Sequence, residues 1–183
     1  MSAKAIREYH GKRLVSKWIS EYGDYDVENR CVQGGSEAGF AKIEQENPWL
    51  STTPLVVKPD QLIKRRGKAG LLAVNKTWPE VQAWVAERMG KSQQVCGTSV
   101  EVVTGILDTF IVEPFVPHEQ TDEYYVCINS NREGEEFLFC HEGGVDVGDV
   151  DAKADRLQVS IGGQATPEAI KAALLQKVSW GML

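Results

Sequence analysis

No apolar run in this 183-residue chain approaches the length needed to cross a bilayer. The first nine residues, ending at Tyr9, have no apolar signal core. The four cysteines, Cys31, Cys96, Cys127 and Cys140, lie far apart with no Cys-x-x-Cys pair. That argues against a zinc ribbon or dithiol motif and favours reduced thiols in the cytosol. Net positive charge is also lacking. At −6 the chain has no basic footprint for nonspecific nucleic-acid binding, although a local basic loop can still hold an anion. There is no Gly-x-x-x-x-Gly-Lys-Ser/Thr string, no Gly-x-Ser-x-Gly elbow and no Cys/His pair for nucleophilic catalysis. The expectation is a cytosolic protein with no membrane and no nucleic-acid partner.

The composition that remains, 42% hydrophobic and 25% charged, is that of a globular protein with room for one domain or two small lobes. Leu14, Val15, Trp18, Ile19 and Tyr22 recur at helical spacing, which predicts an amphipathic helix over residues 6–22 that Gly23 stops. A polar loop over 24–37 and a short helix before Pro48 follow. Leu55-Val56-Val57 reads as a buried strand whose pairing Pro59 ends. Leu71 to Val74 reads as the returning strand. Thr77-Trp78-Pro79-Glu80 is a capping-box start for a helix with Trp78, Val81, Trp84, Val85 and Met89 on one face. Residues 91–105 carry little pattern. Strands are expected at 110–112, 124–128 and 137–139, with a turn over 130–134, then a last strand near 157–161. Thr166-Pro167-Glu168 opens a final helix bearing Ile170, Ala173, Leu174 and Val178. The order is α/β in the α+β sense, with a lobe boundary near residues 113–117.

Three stretches could carry chemistry. In Val56-Val57-Lys58-Pro59-Asp60-Gln61-Leu62-Ile63-Lys64-Arg65-Arg66-Gly67-Lys68-Ala69-Gly70 a strand-end lysine precedes a basic glycine loop. Polyphosphate needs cations together with backbone amides that only small residues leave open. A solvated basic turn fits the same residues. In Ile111-Val112-Glu113-Pro114-Phe115-Val116-Pro117-His118 a strand runs into two prolines, giving a stiff segment able to read an adenine edge or merely to connect lobes. Glu123 lies shortly after, where a carboxylate could accept from ribose hydroxyls or simply be solvated. Residues 141–151, His-Glu-Gly-Gly-Val-Asp-Val-Gly-Asp-Val-Asp, fit neither a calcium loop nor a zinc pattern. A special turn is the default there, and a docking surface for a phosphate-carrying segment is the alternative. His10 reads as structural.

Together these segments resemble the ATP-citrate lyase family (ATP-citrate synthase) in its N-terminal ATP-grasp region, and more distantly the nucleotide-binding subunit of succinyl-CoA synthetase. The resemblance rests on Met1-Ser2-Ala3-Lys4-Ala5-Ile6, Asn47-Pro48-Trp49-Leu50 and residues 55–70, 110–118 and 141–153, in the family's order and as far as about Ala154. It implies a two-lobe ATP-grasp-like fold filling residues 1–183, with the second lobe cut short. It implies ATP contacts from Lys58, Arg66 and Gly67 to phosphates, Pro114 and Val116 on the adenine side, and Glu123 to ribose. Within the family ATP phosphorylates a histidine, citrate is activated, and citryl-CoA is cleaved to acetyl-CoA and oxaloacetate. Magnesium is expected with ATP, yet the family's Glu-x-Asn-Pro segment and later aspartate are not found; Glu46-Asn47-Pro48 imitates that string but lies before Lys58. Citrate and CoA would be met only through further domains, so no catalytic or metal-ligating residue is assigned and activity of the chain alone is not expected. The alternative is a noncatalytic nucleotide-binding or regulatory module docking on full-length subunits in a homo- or hetero-oligomer.

Overall fold

The computed structural model describes residues 5–23, 25–35, 37–63, 66–96, 102–144 and 149–178. Lys64 and Arg65 of the basic loop, residues 145–148 of the glycine- and aspartate-rich stretch and the final five residues therefore lie outside the described part. The chain divides into two compact units, Met1–Val116 and Pro117–Leu183.

The first unit is organised by strand β2, Leu55–Pro59. Its strict alternation turns Leu55, Val57 and Pro59 into the core and leaves Val56 and Lys58 on the opposite face. β1 (Val32–Gly34), β3 (Ala73–Lys76) and β6 (Phe110–Pro114) complete an antiparallel sheet in the order β1-β6-β2-β3. Helix α2 (Glu37–Glu46) and helix α3 (Trp78–Arg88) contribute Phe40, Trp78, Val81 and Val85 to a core shared with Leu50, Leu55, Val57, Leu71, Leu107, Phe110 and Val112. Burying each large apolar side chain of this set stabilises the unit by about 1.5–3 kcal/mol against leaving it in water. α3 begins as its sequence requires: the Glu80 carboxylate accepts from Thr77 N at 2.8 Å and from Thr77 Oγ1 at 2.7 Å. The Thr77 backbone N–H and hydroxyl hold the Glu80 carboxyl down at about 2. Asn47 closes α2, its Nδ2 donating to Ile43 O at 2.9 Å, and Pro48 opens a 3-10 turn, Pro48–Ser51; the string that imitates a metal segment serves here as a connection.

Four features depart from expectation. Helix α1 (Glu8–Tyr22) ends at Gly23, but none of its residues is buried, and Leu14, Val15, Trp18, Ile19 and Tyr22 are all exposed. Strand β1 lies inside the expected loop. β3 starts two residues later than expected. Residues 91–105 carry a hairpin, β4 (Ser92–Cys96) with β5 (Val102–Ile106), in which Ser92 faces Ile106. Its base is pinned to the end of α3 by Gly90 N to Leu107 O at 2.8 Å and Leu107 N to Lys91 O at 3.1 Å.

The second unit is an antiparallel sheet of β7 (Tyr125–Ser130), β8 (Gly134–Cys140) and β9 (Asp155–Ser160), with β8 central. The β7–β8 turn works because Gly134 has φ 143°; a Cβ there would lie 2.0 Å from Val159 O. Helix α5 (Pro167–Leu174) starts with Thr166 Oγ1 accepting from Ala169 N at 3.2 Å, and stops before Val178. Leu174, Leu138 and Cys140 are buried. Because opposite residues share a face, Val126 and Phe139, and Ile128 and Phe137, lie on the other side of the sheet from Leu138. A short helix, α4 (Val150–Lys153), precedes β9.

Candidate functional site

The face of the first sheet turned away from the core carries the charged residues. Register explains the grouping. Lys58 pairs with Ile111, so Glu113, two residues along β6, is its diagonal neighbour on the same face, and Gln33 of β1 also opposes Ile111. Lys58 Nζ stands 2.9 Å from Glu113 Oε1. The first turn of α1 lies over this face. Glu8 Oε1 is 2.7 Å from Lys58 Nζ, while Glu8 Oε2 is 2.5 Å from Arg66 Nη2. Lys12, one turn along α1, bonds Glu113 and stands 3.1 Å from Glu8 Oε1. Arg66 is fixed from its other end, where Nη1 donates to Pro59 O at 2.7 Å.

Two carboxylates thus serve three cations, and one positive charge is left over. Lys58, Glu113, Glu8 and Arg66 are each less than a quarter exposed, so their attractions are less screened than those of a surface pair. Burial alone would raise the Glu8 carboxyl, but the Lys58 ammonium and Arg66 guanidinium outweigh it and pull the group down to about 2. Burial likewise opposes the charge on Lys12, and Glu113 and Glu8 overcome it to raise that ammonium. Next to the cluster, burial first and the Glu113 carboxylate second push the Cys31 thiol up to about 12, which leaves it a poor nucleophile. Cys31, Cys127 and Cys140 are free thiols.

At the end of β2 the buried Asp60 accepts from Gln33 Nε2, and its backbone N donates to Thr109 O at 2.8 Å. The turn after it closes with Leu71 N to Arg66 O at 2.9 Å and Gly70 N to Gly67 O at 3.1 Å, with Gly67 exposed. Pro114 is not in a free segment: it pairs with Leu55, and Phe115 N donates to Pro54 O at 2.7 Å, so strand pairing runs further than the two prolines suggested. Val116, just beyond, is 66% exposed.

Glu123 belongs to the second unit and has its own setting. His118 Nε2 lies 2.8 Å from Glu123 Oε1, and the Glu123 carbonyl accepts from Gly143 N at 2.7 Å. Gln120 Nε2 reaches Gly143 O at 2.9 Å. Gly144 has φ 97°, and a Cβ on it would meet Glu123 Oε2 at 2.0 Å and Gln120 Nε2 at 2.5 Å. Gly144 therefore leaves room for the Glu123 side chain, and Gly143 for the Glu123–Tyr124 backbone.

The structure brings Lys58 and Arg66 together with Gly67 beside them, and holds Pro114 on the strand that carries Glu113. Sequence reasoning named those residues but missed Glu8, Lys12 and the role of Glu113. The Glu8/Lys12 i,i+4 pair and the β2 alternation were the available signals; only the strand register joins them. Among the described residues no group of three or more His, Cys, Asp or Glu side chains is placed to hold a metal ion.

Comparison with known proteins gives the same family by three routes. Residues 2–181 match the model of the ATP-citrate synthase ATP-grasp domain. The chain is 47% identical over 189 residues to the probable ATP-citrate synthase subunit 2 of Schizosaccharomyces pombe, covering 88% of this chain and 37% of that protein. It is 48% identical over 175 residues to ATP-citrate synthase of Homo sapiens, covering 96% of this chain and 15% of that one. The ATP citrate lyase of Methanothrix soehngenii, solved in complex with citrate and coenzyme A, superposes over the whole of this chain and 40% of its own, with a TM-score of 0.76 and 35% identity. The chain thus spans well under half the length of these relatives. Mixed helix and sheet, the ATP-grasp match and the similarity to solved lyases agree, and the chain belongs to the ATP-citrate synthase ATP-grasp family, whose fold implies the use of ATP.

Proposed function

We propose that this chain is the nucleotide-binding part of an ATP-citrate lyase. In this reading Lys58, Arg66 and Gly67 hold the phosphates of ATP or ADP. Pro114 and Val116 border the adenine and Glu123 accepts from the ribose hydroxyls, with a lobe boundary near residues 113–117. The observation that carries the reading is the Glu8 bridge: one anionic group touches Lys58 through one oxygen and Arg66 through the other. A strand-end lysine and a loop arginine so placed can grip a phosphate in the same way, with charge-assisted bonds stronger than neutral ones. Phosphate binding by this pair would serve a cytosolic lyase that makes acetyl-CoA and oxaloacetate from citrate, CoA and ATP, and so supplies acetyl units for lipid synthesis. Magnesium would neutralise the phosphates during transfer; no residue described here is assigned to it. Contacts with citrate and CoA are assigned to parts of the family's length that this chain does not span.

ATP titration of the parent chain against Lys58→Ala and Arg66→Ala tests the phosphate assignment. Loss of a charged partner costs about 1.5–3 kcal/mol, so each variant is expected to bind roughly tenfold or more weakly. Undiminished binding in both variants would refute it. A second reading, a noncatalytic module that docks on lyase subunits, is favoured by the exposed apolar stripe of α1. Citrate-dependent acetyl-CoA formation by the purified chain without other subunits would exclude it.

A further inference from the structure

We infer that Glu8 is a built-in competitor for the nucleotide phosphates, and that their arrival releases the first turn of helix α1 from the sheet. The inference rests on the assignment of Lys58 and Arg66 to phosphate. Both cations are already engaged by one carboxylate, Lys58 at 2.7 Å and Arg66 at 2.5 Å, and that carboxylate comes from α1 rather than from the strand or loop that carries them. A phosphate gripping the same two side chains must displace it.

What holds α1 in place makes the displacement consequential. No residue of α1 is buried, so the helix gains little from apolar packing and depends on polar contacts at its first turns. Those are the Glu8 bridge, Lys12 with Glu113, Arg7 Nη1 to Thr109 Oγ1 at 2.7 Å, and a long bond from Tyr9 N to Asp60 Oδ1 at 3.4 Å. Once phosphate takes Lys58 and Arg66, Glu8 keeps only Lys12, at 3.1 Å and shared with Glu113, and stands beside an anion of greater charge. Like charges at that range repel, and the cheaper outcome is for the turn to move away. Lys12 keeps Glu113 and can act as the pivot. The apolar stripe of Leu14, Val15, Trp18 and Tyr22 rides on the same helix, so the state of the phosphate site would set where that stripe is presented.

The test uses the full chain, with ATP and inorganic tripolyphosphate as probes at fixed ionic strength, and compares the parent with Glu8→Gln, Glu8→Asp and Lys58→Ala. Removing the competing charge is expected to tighten binding of both probes by about three- to tenfold in Glu8→Gln. Glu8→Asp, which keeps the charge and shortens its reach, should fall between, and it decides the matter should the glutamine variant fail to fold. Amide hydrogen exchange over residues 8–22 is expected to speed up in the parent on saturation with ATP, and to be fast in Glu8→Gln without any ligand. Unchanged or weaker binding on loss of the Glu8 charge, or unchanged α1 protection in the saturated parent, would each overturn the inference while leaving the phosphate assignment intact. If instead the parent binds neither probe, the phosphate assignment itself fails and the inference falls with it.

Discussion

Glu8 concentrates the residue-scale energetics of the cluster. Its carboxyl is held at about 2 in the folded chain against 4.5 for an ordinary glutamate, so the folded state binds that proton less readily than the unfolded state does. The stability it contributes is complete above about pH 4.5 and is lost as pH falls toward 2. For a bridge that is partly open to water the amount is about 2 kcal/mol once solvent screening is allowed for. Thermal unfolding of the parent and Glu8→Gln between pH 6 and 2.5 should therefore converge: the parent is the more stable at pH 6, and the difference narrows steadily from about pH 4.5 toward pH 2.5. A difference that persists unchanged down to pH 2.5 would mean that the Glu8 charge contributes nothing to the fold. Lys12, whose ammonium is raised by Glu113 and Glu8, stays charged throughout that range and adds no slope of its own.

At the scale of elements, helix α3 joins a local sequence signal to a large contribution to the core. Thr77 and Glu80 bond each other's ends of the first turn, and Trp78, Val81 and Val85 follow into the core. Thr77→Ala is expected to destabilise the chain by about 1 kcal/mol, read as a lower denaturant midpoint at unchanged slope; an unchanged midpoint would show that packing alone fixes the helix start. This helix was legible because its cap and its stripe lie within a dozen residues. β2 was legible for the same reason, through Leu55 and Val57. β1 was not: three residues, Val-Gln-Gly, become a strand only because β6, far along the chain, offers them an edge. The β4–β5 hairpin hides behind Ser92-Gln93-Gln94, which has no apolar alternation to read. In the candidate site Lys58 and Arg66 were legible from their loop and the family resemblance, and Lys12 was not. Their carboxylate partners were not, because Glu8, Lys58, Arg66 and Glu113 meet through register and helix docking rather than through spacing along the chain.

At the scale of the whole molecule, each unit has its own core and each leaves apolar side chains in water. In the first, the α1 stripe includes Val15 at 58% exposure, and Trp18 and Tyr22 stack with ring centroids 5.3 Å apart. In the second, Val126 and Ile128 stand side by side on one face of β7, at 70% and 57% exposure. Among the described residues β7 is also an outer strand of its sheet, the kind of strand on which sheets can associate. Apolar side chains in rows, unlike single ones scattered over a surface, mark places where proteins associate. The chain is therefore expected to self-associate, its mass by size-exclusion chromatography with light scattering rising across a concentration series. Val126→Thr with Ile128→Thr should lower that mass if the sheet face carries the contact, and Trp18→Gln with Tyr22→Gln should do so if the helix does. Because association stabilises the folded state by mass action, the parent's melting temperature should climb with concentration and the variants' should climb less. A monodisperse monomer whose melting temperature does not depend on concentration would mean that both apolar rows are tolerated in water, and the expectation of association would be wrong.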